Sequence, residues 1–190
     1  MEWFNQNNVA DIVNLRTYRT NALEQRAFSP WHKRFGELHS QKTRLADLSD
    51  RTLYFLALPG EENAVAFYEL IMGTLDLGSA VKFYYLESKQ QMMVMDIHLF
   101  LADQVRFEML QRLNWLTCYP CTQYSLLEMV QDFDKVKVAC MEKSLELAES
   151  HPGFAAYNKL AGGDKEVFIR RMLPQALKTY KEKLGLYAPK

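Results

Sequence analysis

Glycine and proline are scarce in this 190-residue chain, at eight and six. An all-β chain must turn about every ten residues and draws on both, so that class is excluded. Cysteine is scarcer still, at three. So few, and an odd number, make no disulfide framework and fit a reducing compartment, so the expected location is cytoplasmic. Net charge is absent as well, with 23 basic against 23 acidic side chains. No global field recommends a nucleic acid or an anionic membrane as a partner. No stretch of about 18 residues is free of charge, as a membrane span requires. Even the apolar segment Met92 to Leu101 is interrupted by Asp96 and His98. The opening Met1-Glu2-Trp3-Phe4 lacks the cationic start and apolar run of a signal peptide.

Chemical signatures are missing too. There is no glycine-rich phosphate loop, no Gly-x-Ser-x-Gly, no His-Glu-x-x-His and no EF-hand loop. Glu-x-x-His occurs nowhere, which argues against a ferritin-like di-iron centre. No metal or cofactor is expected, and whether the chain is an enzyme is left open.

What is present is helical patterning. Ser29-Pro30 reads as an N-cap before a first-turn proline, with Trp31, Phe35 and Leu38 following at helical spacing. A weaker amphipathic stretch precedes it, from about Asn8 to Ala27, with Ile12, Leu15, Ala22 and Leu23 on one side. Ser49-Asp50 caps a short helix that Pro59-Gly60 stops, and Glu61-Glu62 opens the next. The clearest long helix is expected from about Gln90 to Leu116, with Val94, Ile97, Leu101, Val105, Met109, Leu113 and Leu116 on one face. A second long helix is expected from the capping box Ser125 to Glu128, running on through Val138, Met141 and Ala148. Pro174 should split the last helix at Leu173. The expected fold is all-α: one domain, residues 1–190, an irregular bundle of about seven or eight helices with two long central ones.

Three constellations are candidates for function. Cys118-Tyr119-Pro120-Cys121 has the spacing of a redox dithiol, and a helix starting just after it would aim amides at the thiols. The strand that precedes such a pair in thioredoxin-like proteins is missing, so thiols in an inter-helix turn is the plainer reading. Asp96, His98, Asp103, Arg106 and Glu108 place charge on the central helix, Asp103 with Arg106 and Glu108 with Arg112 at pairing distance. Charges on a buried helix must pair inside, or they line a cleft. Trp31-His32-Lys33-Arg34-Phe35 with Lys42 and Arg44 mixes aromatics and cations as nucleic-acid binders do, but one such patch in a neutral chain is weak support. Met92, Met93 and Met95 are read mostly as core, although methionine also suits adaptable contact surfaces.

The leading expectation is an interaction or accessory module that associates with itself or another protein through an apolar helix face. The competing one is a small helical enzyme or ligand binder. It would use a cleft at Asp96, Asp103 and Arg106, with His98 nearby, or the Cys118/Cys121 dithiol.

Overall fold

The computed structural model describes residues 15–186, with side chains from Tyr18 onward. Residues 8–14 of the expected Asn8–Ala27 stretch, Ile12 among them, therefore lie outside the described residues. The architecture is all-α, with nine α-helices among the described residues and one two-stranded ribbon.

Helix α1 spans Leu15–Phe35 and runs straight through Pro30, so Ser29 is not an N-cap as expected. An interior proline costs about 3 kcal/mol, because it donates no hydrogen bond to the carbonyl four residues back. Burial offsets that cost. Ala27, Phe28 and Trp31 are buried, and the Trp31 indole Nε1 donates to the Ala66 carbonyl at 2.7 Å. Burying a large apolar side chain such as Phe28 contributes about 1.5–3 kcal/mol. The carbonyl that Pro30 cannot use, that of Arg26, lies against Gly73, where a Cβ would sit only 2.5 Å from the oxygen. Glycine at 73 is thus what lets α1 touch α3 backbone to backbone.

Helix α2 (Asp50–Ala57) starts as expected, the Ser49 hydroxyl accepting from the Thr52 amide at 3.2 Å. Helix α3 (Glu61–Thr74) carries Glu61 and Glu62 in its first turn. A 3₁₀ segment, Ala80–Tyr85, then leads to the central helix α4 (Ser88–Arg112). Val94, Ile97, Leu101, Val105 and Met109 are all buried on one face, as their spacing predicted. The helix ends earlier than expected. Asn114 adopts a left-handed φ of 59°, and Leu116 belongs instead to strand β1 (Leu116–Cys118).

The second long helix is not formed. Ser125 and Glu128 make the expected reciprocal cap, but α5 stops at Gln131 and α6 runs from Phe133 to Met141. Asp132 leaves helical geometry at φ −108°, ψ 31°. The physical reason lies in the inner face: a straight helix would bring Asp134, Val138 and Met141 inward. The break turns Val136 and Cys140 into the core and leaves those three exposed. Strand β2 (Glu146–Leu147) follows, pairing antiparallel with β1. Helices α7 (Phe154–Tyr157), α8 (Gly163–Arg171) and α9 (Leu173–Lys183) close the chain, and Pro174 opens α9 as expected. One contiguous apolar core runs from Ala27 to Tyr180, with α4 in contact with α2, α3 and α9. No helix among the described residues is long and apolar enough to cross a membrane.

Candidate functional site

The cysteines are not arranged as the spacing suggested. Cys121 and Cys140 form a disulfide with Cα atoms 6.0 Å apart, and Cys118 is a free thiol. Cys118 ends β1 on the outside, whereas Tyr119, Pro120 and Cys121 turn inward. The bend at Asp132 is what brings Cys140 within reach, so the Cys118/Cys121 dithiol is replaced by a bond that no spacing singled out. Burial, and then the neighbouring Glu146 carboxylate, push the Cys118 thiol above its ordinary pKa. It is not an activated nucleophile.

The polar residues of α4 separate in the same way. His98 packs between the rings of Phe67 and Tyr68, at 5.2 and 5.3 Å, where burial and then Arg106 lower its pKa. Arg106 donates through Nε to the Ala57 carbonyl at 3.4 Å and lies 3.5 Å from Asp103. Glu108 is buried. It accepts from Arg112 at 2.8 Å and from the Tyr119 hydroxyl at 2.8 Å. Arg112 donates further to Asp50 at 2.8 Å and to the carbonyls of Leu45 and Ala46. Asp50 in turn accepts from the Tyr180 hydroxyl. Burial alone would lower the Arg112 pKa, but the bonds to Glu108 and Asp50 more than reverse that. With its donors satisfied by the fold, this network ties α4 to α2 and α9 and offers nothing to a substrate.

Asp96 and Asp103 do reach a common cleft of about 690 Å³ beside α4, α6 and α8. His98 and Arg106 do not line it. Asp103 is held there by Arg170 of α8 at 2.8 Å, and Arg170 also binds Glu166 at 2.7 Å. Gln104 lines the cleft too; it is 5% exposed and its Oε1 has no hydrogen-bond partner. Sequence reasoning missed both Arg170 and Gln104. Gln104 was legible as an uncharged polar residue among Leu101, Ala102 and Val105, but Arg170 lies 67 residues beyond Asp103 and carried no signal.

The basic N-terminal patch is partly taken up by the fold, and of its cations only Lys42 and Arg44 line a common hollow. Trp31 is buried, Arg34 pairs with Glu69 at 3.4 Å and Arg44 with Asp47 at 3.7 Å. Among the described residues no group of His, Cys, Asp or Glu is placed to hold a metal ion.

The methionines also depart from expectation. Met92, Met93 and Met95 are exposed, Met92 by 66%, and Leu99 continues their face at 61%. Val81, Tyr84 and Tyr85 of the 3₁₀ segment are more than 80% exposed. The physical reason is coverage: α3 packs Phe67 and Tyr68 against His98, and Gln91 ties the 3₁₀ segment to the start of α4, leaving the Met92–Met95 side bare. No protein-family model, curated protein or solved structure matches this chain.

Proposed function

We propose that the chain is a self-associating interaction module whose contact surface is the bare face of α4 with the adjoining 3₁₀ segment. The observation that carries this reading is the grouping of Met92, Met95 and Leu99 on one exposed helix face, with Val81, Tyr84 and Tyr85 exposed on the 3₁₀ segment that Gln91 ties to the start of the helix. Monomers seldom leave large apolar side chains grouped in this way, and methionine-rich faces adapt to a contacting surface.

Charge argues for a second copy as the occupant. The chain is neutral overall, so two copies do not repel. Lys89 and Asp96 lie two turns apart on the same face, on either side of Met92 and Met93, both exposed. Neither has an ion-pair partner among the described residues. Two copies of α4 running antiparallel about a two-fold axis at Met92–Met93 set each Lys89 against the other copy's Asp96. Such self-complementarity is what a two-fold interface requires. Exposed ion pairs contribute only about 0.2–1 kcal/mol each, so they set register while apolar burial supplies affinity.

Sedimentation or native mass spectrometry tests the reading. The wild type should form dimers, Met92→Lys should be monomeric, and Lys89→Asp should weaken the dimer several-fold. Combining Lys89→Asp with Asp96→Lys should restore it. A wild type that stays monomeric at every concentration, or a dimer indifferent to Met92→Lys, overturns it.

The cellular setting is part of the same reading. A cytoplasmic location is supported by the small, odd cysteine count; the Cys121–Cys140 bond weighs against it, because disulfides persist in oxidising compartments. Protein purified at acid pH, where thiol–disulfide exchange is quenched without adding mass, and then denatured decides the point. A mass about two daltons below the reduced chain places it in an oxidising compartment. The full reduced mass keeps it in the cytoplasm.

A further inference from the structure

The cleft beside α4 adjoins the bare helix face, sharing Asp96 and Leu99 with it, and has a chemistry of its own. Its apolar floor is made by Phe100 and Phe107 of α4 with Met141 and Leu145. Three lysines, Lys137, Lys143 and Lys165, stand at its edge. Lys137 leans over the Phe133 ring at 5.2 Å and Lys165 over Tyr157 at 4.9 Å, and none of the three has an ion-pair partner among the described residues. The triad Asp103, Arg170 and Glu166 carries one net negative charge and Asp96 another, so the lysines leave the cleft positive by a single charge.

One further feature points to an occupant. Gln104 is buried to within 5% beside aromatic neighbours, and its Oε1 lacks a hydrogen-bond partner. Leaving a buried polar atom unpaired costs about 1–3 kcal/mol. A ligand that brings an N–H or O–H to this side chain recovers that cost. Helix α8 begins at the same cleft with Gly162 and Gly163, and no side chain caps its first amides. The Asp164 and Lys165 amides donate to the Ala161 and Gly162 carbonyls, so the attraction for an anion at this end comes from the lysines.

We propose that this cleft binds a singly charged anionic amphiphile that carries a hydrogen-bond donor next to its apolar body. The apolar part lies on Phe100, Phe107 and Met141, the donor meets Gln104, and the acid group sits toward Lys165 and the start of α8. A volume of about 690 Å³ is within the range of small-molecule sites and holds one such molecule.

The probe is 8-anilinonaphthalene-1-sulfonate, a monoanion with an aromatic body and an N–H, titrated by fluorescence and calorimetry. One molecule should bind per chain. Lys137→Glu with Lys165→Glu should weaken it roughly tenfold or more, as loss and reversal of two nearby charges implies. Gln104→Leu should weaken the probe yet leave laurate, an anion without the donor, little changed. Met92→Lys should not affect binding, which separates the cleft from the helix face and from the outcome of the assembly test. Circular dichroism and thermal unfolding establish that each variant is folded. No binding, binding indifferent to the double lysine variant, or loss of binding in Met92→Lys overturns the proposal.

Discussion

The two ends of α4 have nearly the same composition and opposite fates. From Ser88 to Leu99 the helix shows Met92, Met93, Met95 and Leu99 to the outside and buries only Val94 and Ile97. From Leu101 to Leu110 eight of ten residues are buried, Gln104 and Glu108 among them. A helix that is apolar most of the way round is buried only where neighbours surround it. Helix α2, at Asp50 and Ala57, and the Leu45–Asp47 turn hold the second half, whereas α3 meets the first at His98 and leaves Met92 and Met95 bare. Hydrophobic residues thus hold the fold together at one end and are left to contact something else at the other.

The largest break in this contrast comes at the buried end. Arg112→Ala strands Glu108, which keeps only the Tyr119 hydroxyl, and frees Asp50 from its strongest cation. Removing one partner of a buried ion pair costs about 3–5 kcal/mol, so the denaturant midpoint should fall sharply. An unchanged midpoint would show that the network is not structural.

A smaller effect belongs to the boundary between the halves. His98 is half-buried, and burial followed by the Arg106 charge holds its pKa below the ordinary value. His39 adds to it: its side chain is 2% exposed, against the Phe28 and Trp31 rings, and burial outweighs the pull of Glu37. A lowered folded pKa means that the unfolded chain takes up the proton first. Stability is therefore full above the unfolded value near 6.5 and declines as pH falls below it. The slope approaches about 1.4 kcal/mol per pH unit for each histidine that only the unfolded chain protonates. Unfolding followed from pH 7.5 to pH 5 should show this loss, and His98→Phe and His39→Phe should each flatten part of it. A wild-type stability that is level across the range removes the effect.

The smallest change is expected at the bare end. Met92→Lys, which should abolish assembly, should alter the stability of the monomer by no more than about 0.5 kcal/mol, the scale of surface substitutions. A loss of several kcal/mol would mean that Met92 is part of the core, and the contrast between the halves would disappear.

Local signals were legible where the chemistry is local. The Ser49 and Ser125 caps, the stop at Pro59-Gly60, the split at Pro174 and the inner stripe from Val94 to Met109 are all present as read. They depend on residues within about four positions of each other, which is the reach of helical hydrogen bonds and side-chain neighbours. Pro30 went the other way, because a tertiary partner, the face of α3 at Gly73, supplied more than the local rule took away. The helix expected through Ala148 failed for a related reason, since turning Val136 and Cys140 inward outweighed the continuity of a stripe that included Asp134.

The candidate sites were harder to read. Asp96 and Asp103 share a cleft as their seven-residue spacing allowed, but the Arg170 that holds Asp103 and the cysteine that bonds Cys121 come from distant segments.

By itself, then, the sequence determined an all-helical chain with a central apolar helix, because turn residues are few and helical periodicity is a property of near neighbours. Only the tertiary structure decided which part of α4 is covered, which cysteine pairs with Cys121, and which charges face the cleft. Those outcomes depend on the positions of segments 19 to 130 residues apart, and side-chain spacing along a helix carries no information about what will pack beside it.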